Sequence, residues 1–462
     1  MLLGIKLKAT PTSLQKEILS QWMGCARSIW NAKCDEDKYY TTFARKYCPI
    51  GTYAPLDQKY SHFKDKDLSP WLFCVPSQIL RNSAVNWYDT YRKFIRGECG
   101  KPKKKKKTEF GSVHLTRELF SFEKCPDGVT RLFIGTKKYN LGQLRIKNHK
   151  RYKEPNSLYI KKKYDKYWVS FCYADEKLNN KTTQKQHLEF LKSCSPDFLN
   201  KHVVGIDRGA VRAVQCGNEV YDLSSRQKQI KLNKEKKLKR YQRKMARQQV
   251  GSKRRAVTKK HISNGYQKIS NIRNDFCHKT SHAIVTHDNN KVIVLEDLRT
   301  KNMTKKPKPK LDENGQWIKN GANAKAGLNK AILDKGWHKL EEFIKYKSVK
   351  YGKAWFKVSA KYTSQECANC SHTHPNNRKS QSEFICERCG NTDNADRNAA
   401  EVIKKRAIKL ILHSGTELTK RGVLLVNGRG AISKPKPAKA SCAHGKETSK
   451  KKGKATTSKV AA

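Results

Sequence analysis

Acidic residues are scarce in this chain: 40 Asp and Glu stand against 99 Lys and Arg over 462 residues, a formal charge of +59. Such an excess points to a polyanionic partner, nucleic acid before a membrane surface, because no basic amphipathic helix stands alone as an anchor. Charge by itself does not say what is done to the nucleic acid, since ribosomal and chromatin proteins share it. Long apolar runs are also missing. No stretch approaches the ~20 residues of a membrane span. The N-terminus MLLGIKLKAT lacks the apolar segment of a secretory leader. A soluble intracellular protein is expected, in the cytoplasm or nucleoid, or in the nucleus if the source is eukaryotic. Hydrophobic residues make up only 37%, yet 8 Trp, 19 Tyr and 15 Phe suffice for real cores. No internal repeat is visible, and the length allows two to four domains.

The pattern shifts several times along the chain. Residues 2–9 alternate as a strand, with Leu3, Ile5 and Leu7 on one side. Residues 11–98 read as helical: Leu19, Trp22, Met23, Ile29 and Trp30 keep helical spacing, as do Ile79, Leu80, Ala84, Trp87 and Tyr91 after Pro76. KPKKKKK at 101–107 is a solvated linker or a phosphate contact. From about 109 to 175 the pattern is strand-like and ends in a hairpin turning near 164–166. A strand at 2–9 joining these would make one β-unit split by a helical insertion. Residues 176–200 read as a polar connector, and 203–207, 292–298 and 355–358 as strands. Residues 226–260 hold 16 Lys or Arg and one acid and predict one long basic helix, paired with a second at about 263–287. Arg243, Lys244 and Arg247 on it are candidate phosphate contacts. Residues 324–350 and 396–412 predict helices. From 434 the tail has nine Lys and one Glu among small residues and predicts disorder.

Three carboxylates stand out. Asp207 ends the apolar strand VVGID. Glu296 lies in VIVLED, where alternation puts it on the face of Val292 and Val294 and turns Asp297 to the other. Asp396 opens a helix in NADRNAAEVI. Singly, each has a plain reading as a turn former or helix N-cap. Together, acids from an early strand, a later strand and a C-terminal helix are what a two-metal phosphodiester hydrolase requires. Two Mg2+ ions ~3.5–4 Å apart need shared carboxylates. Hard oxygen ligands without His favour Mg2+.

Of 15 cysteines, four have metal-ligand spacing: Cys367 and Cys370, then Cys386 and Cys389. Two C-x2-C knuckles supply four thiolates for a tetrahedral Zn2+. Four Cys fill the coordination sphere, so that zinc is structural. The remaining cysteines read as small buried hydrophobes. Arg378 in the loop between the knuckles is a candidate nucleic-acid contact.

GIDRG at 205–209, VLEDLRTKNM at 294–303, the cysteine module at 362–390 and NADRNAA at 394–400 resemble the TnpB family. That family comprises transposon-encoded RNA-guided DNA endonucleases related to the miniature type V CRISPR effectors. The likeness spans about residues 1–412. It implies a multidomain α+β and α/β protein. A RuvC (RNase H-like) nuclease domain at 201–362 and 391–412 would be interrupted by a zinc ribbon at 363–390. A wedge β-barrel at 1–10 and 101–190 would carry a helical recognition insertion at 11–100, followed at the far end by a basic tail at 413–462. By resemblance Asp207, Glu296 and Asp396 are the catalytic acids, and Gln78, Arg81 and Asn82 fall where relatives approach a short motif beside the target. The implied partners are a guide RNA and double-stranded target DNA, with a monomer favoured and no membrane. The rival readings are a guided DNA-binding repressor without turnover and an unguided nuclease or junction resolvase. Ser371 departs from the usual knuckle Gly and predicts a less regular first knuckle. Arg208 replaces a more usual apolar residue.

Overall fold

The computed structural model describes residues 2–44, 58–108, 110–124, 130–148, 152–174, 182–209 and 211–426. The Lys-rich tail from 434 lies outside them. Seven strands build the first sheet: β1 (Leu2–Ala9), β2 (Phe110–Thr116), β3 (Phe120–Lys124), β4 (Thr130–Gly135), β5 (Asn140–Lys147), β6 (Ser157–Lys163) and β7 (Lys166–Ala174). Their spatial order is β2-β6-β7-β1-β5-β4-β3, with antiparallel pairing between neighbours. The N-terminal strand thus sits in the middle, paired with β7 from Leu2↔Ala174 to Ala9↔Tyr167. The β6–β7 turn falls at Tyr164 and Asp165, with Tyr164 at φ +52°.

Two helices enter between β1 and β2: α1 (Ser13–Tyr39) and α2 (Ser77–Ile95). Thr12 and Gln15 form a reciprocal capping box at the start of α1. The Gln15 amide also donates to the Leu141 and Gln143 carbonyls and pins the helix to β5. Leu19, Trp22, Met23 and Ile29 of α1 and Ile79, Leu80 and Ala84 of α2 share one core with Leu7, Val113, Leu144, Ile160 and Val169 of the sheet. Each such large side chain, fully buried, stabilises by about 1.5–3 kcal/mol.

The second sheet holds the candidate site. Its strands are β8 (Val203–Asp207), β9 (Val214–Cys216), β10 (Glu219–Tyr221), β11 (Val292–Glu296) and, after the small hairpin β12 (Lys310–Leu311) and β13 (Trp317–Ile318), β14 (Ala354–Val358). The order is β10-β9-β8-β11-β14, with β8, β11 and β14 parallel. The helices between are α3 (Gln184–Lys192), α4 (Pro196–His202), α5 (Ser225–Ala246), α6 (Lys253–Thr286), α7 (Thr300–Met303), α8 (Ala322–Lys335), α9 (Trp337–Lys350) and finally α10 (Ala395–Leu412). One face of the sheet (Val203, Val292, Val294, Phe356) packs on Leu188, Leu191, Ile403, Ala407 and Ile411 of α3 and α10. The other (Ile206, Ile293, Leu295) packs on Phe276, Ile284, Leu340 and Ile344 of α6 and α9. The strand at 292–296 is covered on both sides, as continuous apolar runs in parallel sheets are.

Three sequence expectations give way here. Residues 176–200 are not simply a connector: α3 starts at a Thr183/Gln186 capping box, and α4 at Ser195 with Pro196 following. Their buried apolar residues are only Leu188, Leu191 and Leu199, while Phe190 is exposed and Phe198 partly buried, too sparse a stripe to announce a helix. The basic helix is not continuous over 226–260. It breaks after Ala246, and α6 begins at Lys253, where the Ser252 hydroxyl accepts the Arg255 amide. Arg255 also donates from its guanidinium to the Met245 and Gln248 carbonyls, closing the end of α5. The helix expected over 324–350 is two, α8 and α9, divided at Gly336, whose φ of +71° no continuous helix accommodates.

Candidate active site and metal centre

Parallel register places Ile206 beside Leu295, so Asp207 and Glu296 emerge side by side at the carboxyl ends of β8 and β11. Crevices at that end of open parallel sheets are where ligands bind. The third carboxylate arrives from α10, which crosses β8 with almost no gap. A Cβ on Gly205 would lie 2.0 Å from the Ala400 carbonyl oxygen, so only glycine admits the helix. Asp396 is therefore carried to the strand ends by backbone contact. It is not the helix cap, because the Asn394 side chain accepts from the Asp396 and Arg397 amides.

Electrostatics register the crowding. Burial, then the charges of Glu296 and Asp396, push the Asp207 carboxyl up to about 7. Burial also raises Glu296, and raises Asp396 against the nearby Arg378 and Arg212. Both Glu296 and Asp396 are only 5% exposed. A buried acid whose proton affinity is raised further by two neighbouring carboxylates is a poor resting arrangement unless a cation joins them. Their hard oxygens are suited to Mg2+.

Supporting groups fix Glu296. The buried Thr363 hydroxyl donates to Oε1 of Glu296. Thr363 follows Tyr362, held at φ +61°, a costly conformation for a bulky residue. Arg208, buried, donates from Nη2 to the Glu296 carbonyl at 2.5 Å and from Nη1 to Oε2 of Glu341 at 2.9 Å. Glu341 also meets Lys357, and Lys357 lies 3.4 Å from Asp297. Burial alone would raise Glu341, but Arg208, Lys345 and Lys357 hold it at about 2. Asp297 thus faces cations on the α9 side while Glu296 faces α10, the division that strand alternation predicted. Thr363 and Glu341 carry no local signal in the sequence; only the fold brings them to the strands.

The four cysteines converge on one point, all Sγ atoms lying within 4.8 Å of one another. Cys367–Cys389 and Cys370–Cys386 Sγ separations of 3.7 and 3.6 Å fit the edges of a tetrahedron with ~2.3 Å Zn–S bonds. The knuckles match in conformation: Ser371 at φ +59° and Gly390 at φ +66° each donate an amide back to the first cysteine's carbonyl. The first knuckle is as regular as the second, contrary to expectation, with Ser371 bearing the strain. A short hairpin, β15 (Glu383–Ile385) and β16 (Thr392–Asn394), leads into α10. The wholly buried Asn398 of α10 accepts from the Ala368 amide and donates to the Glu366 carbonyl. Arg406 reaches the Ser359 and Lys361 carbonyls and pairs with Glu366. The cysteine module is thereby fastened to the helix that carries Asp396.

The expected nucleic-acid residues fall in different places. Arg378 is turned into the site, its Nη2 3.6 Å from Asp396 Oδ1. Asn82, 5% exposed, spends its amide on the His114 carbonyl, and Arg81 meets Glu118. Gln78 is half-buried near the start of α2. Arg243 and Lys244 lie exposed in the last turn of α5, and Arg247 caps it. Among the described residues no helix is long and apolar enough to cross a membrane.

Three family models match the chain. One described as "Probable transposase" covers residues 178–306, with Asp207 and Glu296. One described as "Cas12f1-like, TNB domain" covers 337–403, with the four cysteines and Asp396. A third, "Helix-turn-helix domain", covers 1–38, where the structure has β1 and most of the single helix α1. The chain is 27% identical over 435 residues to the "Putative RNA-guided DNA endonuclease InsQ" of Escherichia coli (strain K12), covering 94% of this chain and 97% of that protein. It is 39% identical over 67 residues to the "CRISPR-associated endodeoxyribonuclease Cas12f1" of Sulfoacidibacillus thermotolerans, 14% of this chain and 16% of that one. In fold it is similar to the protein in a Cas12f1-sgRNA-target DNA complex, with a TM-score of 0.52 and 12% identity over 87% of this chain and 98% of that one.

Proposed function

We propose, for a chain that belongs to the TnpB family and is related to the miniature type V effectors, that it is an RNA-guided endonuclease cutting double-stranded DNA at Asp207, Glu296 and Asp396. In this reading the five-stranded sheet with its helices is a RuvC (RNase H-like) nuclease unit and the cysteine module its zinc ribbon. The seven-stranded sheet with α1 and α2 is then the wedge and recognition region. The observation that carries the proposal is the convergence of three carboxylates from β8, β11 and α10, with Asp207 raised to about 7 by burial and by the other two.

Mg2+, when bound, supplies a polarised water for attack and neutralises charge on the leaving oxygen. The chain's own residues prepare that chemistry. Thr363 holds Oε1 of Glu296 and so fixes the carboxylate's rotation. Arg208 secures the Glu296 main chain, and the helix start at Asn394 sets the height of Asp396. Arg378, beside Asp396, stands where a phosphodiester's developing negative charge needs a cation. Exposed basic residues on α5, with Arg243, Lys244 and Arg247, supply phosphate contacts along a duplex. Sequence choice would then rest on RNA–DNA pairing, as in guided effectors.

The test is cleavage by the purified protein with its co-purified RNA, sequenced to define a matched duplex, in Mg2+ and in EDTA. Wild type should cut only with Mg2+ and the matched target, and Asp207→Asn should bind RNA but not cut. Guided binding without any cutting would favour the repressor reading. Cutting by Asp207→Asn at wild-type rate would overturn the site.

A further inference from the structure

Beyond α10 the chain forms one more hairpin, β17 (Thr416–Leu418) and β18 (Leu424–Val426). It lies outside the residues matched by the three family models, the last of which ends at 403. It is nonetheless built into the nuclease sheet. The Lys357 amide donates to the Gly422 carbonyl at 2.8 Å, and Val423 bridges Lys357 in parallel, so the hairpin continues the sheet past β14. Gly422 has φ +77°, and a Cβ there would lie 2.4 Å from the Trp355 ring. Thr419 closes the turn, its hydroxyl and its carbonyl accepting from the Val423 and Gly422 amides. This tight turn fixes the position of Arg421.

Arg421 borders a cleft of about 480 Å3 at the carboxyl ends of β11 and β14, lined also by Asp297, Arg299, Ser359, Lys361 and Thr419. The cleft begins one residue past Glu296. Arg299 and Lys361 are exposed on its walls. The Arg421 side chain is 57% exposed, and its Nη2 lies 3.1 Å from Oδ2 of Asp297. Asp297 has a second cation, since Lys357, only 7% exposed, reaches its Oδ1 at 3.4 Å. The carboxylate therefore stays compensated if Arg421 leaves it, and an exposed ion pair of this kind contributes little to stability. A guanidinium with a dispensable partner, flanked by two more cations in an open cleft at the carboxyl ends of β11 and β14, is a ready site for a phosphodiester oxygen pair, which Arg binds bidentately.

We propose that this cleft binds a backbone phosphate of the DNA strand being cut, with Arg421 as the positioning residue that moves from Asp297 to the phosphate. The proposal rests on the nuclease reading for the identity of the strand. Its test does not require cutting. Binding of a single-stranded DNA oligonucleotide to the RNA-loaded protein in EDTA is followed by fluorescence anisotropy over a salt series for wild type, Arg421→Gln, Arg421→Lys and Asp297→Asn. Arg421→Gln should weaken binding about three- to tenfold and reduce the slope of log K against log salt by ~0.7, one single-strand phosphate contact. Arg421→Lys should keep the slope. Asp297→Asn should tighten binding, because the competing carboxylate is gone. If Arg421 serves only to hold Asp297, the two neutralising variants will move binding in the same direction, and the proposal fails. An unchanged salt slope in Arg421→Gln also overturns it. Failure of the wild type to cut when Mg2+ is restored bears on the nuclease reading alone.

Discussion

Asp207 is the residue at which stability and the proposed chemistry would oppose one another. Its folded-state pKa of about 7 lies above the ~3.9 of an unfolded Asp, so the native state holds the proton more tightly. The stability this confers is complete below about pH 4 and is lost as pH rises through about 7. The metal-free protein should therefore melt at lower temperature at pH 7.5 than at pH 5.5 on account of this group. Asp207→Asn should raise the pH 7.5 melting temperature by about 2 °C or more while removing cleavage. Added Mg2+ should stabilise wild type and not the variant, by ligand linkage. A thermal melt of both proteins across pH, with and without EDTA, decides this. A melting temperature lower in the variant would contradict the crowding argument. Thr363 offers a gentler probe. Thr363→Val preserves shape but leaves Oε1 of buried Glu296 without its donor. Groups that orient metal-binding carboxylates typically cost 10–100-fold in activity or metal affinity when removed. Cleavage rate against Mg2+ concentration should show that loss, with RNA binding at the wild-type level.

At the scale of elements, β8 and α10 form the joint on which the site depends. Gly205→Ala puts a methyl group onto the Ala400 carbonyl, and neither backbone has room to retreat without lifting the helix. The substitution should destabilise by about 1–3 kcal/mol, as overpacking does, and should lower cleavage more than melting alone explains. Restoration by a smaller side chain is impossible, so the control is Gly217→Ala, whose Cβ would meet only a Val204 methyl at 3.6 Å but whose φ of +53° adds strain away from the acids. That variant should lose stability without a comparable loss of cutting. The same elements explain what could be read beforehand. The strand at 292–296 was legible as a continuous apolar run because both faces of β11 are buried, and the two-residue period of a strand then put Glu296 and Asp297 on opposite sides. The short helices of 184–202 were not, because each is under three turns long and buries only one or two leucines, which leaves no sustained periodic stripe. The division between α5 and α6 is marked in the sequence only by Gly251, at φ +89°, beside the Ser252 cap, and the run of basic residues continuing beyond it masked that signal. The salt-bridged chain from Arg208 through Glu341 and Lys357 to Asp297 was invisible, since its members are far apart in sequence and meet only when the sheet is assembled. The acids and cysteines were legible because their chemistry is carried by short local motifs.

For the whole molecule, the cysteine module is inserted between β14 and α10, so the path of the chain to Asp396 runs through it. Asn398 and Arg406 tie the module to the helix, and Arg378 extends from it to the acid. Removing the metal should therefore damage the active site without unfolding the distant sheet of β1–β7. Treatment with a zinc-selective chelator, or Cys386→Ser, should reduce guided cleavage at least tenfold while co-purified RNA is retained. Zinc content by elemental analysis alongside single-turnover cutting checks this. Undiminished cleavage in zinc-free protein would show that the module plays no part in holding Asp396.

The opposed faces of β11 have one more consequence. Glu296 and Asp297 are adjacent acids with different surroundings, one close enough to Asp207 to raise its proton affinity and the other meeting lysine and arginine. Deleting a single residue upstream in that strand would exchange them, delivering the neutralised acid to the crevice of the proposed site and burying Glu296 among cations. Composition and charge would hardly change, and the fold could persist, yet the enzyme would be silenced by a shift of one peptide unit.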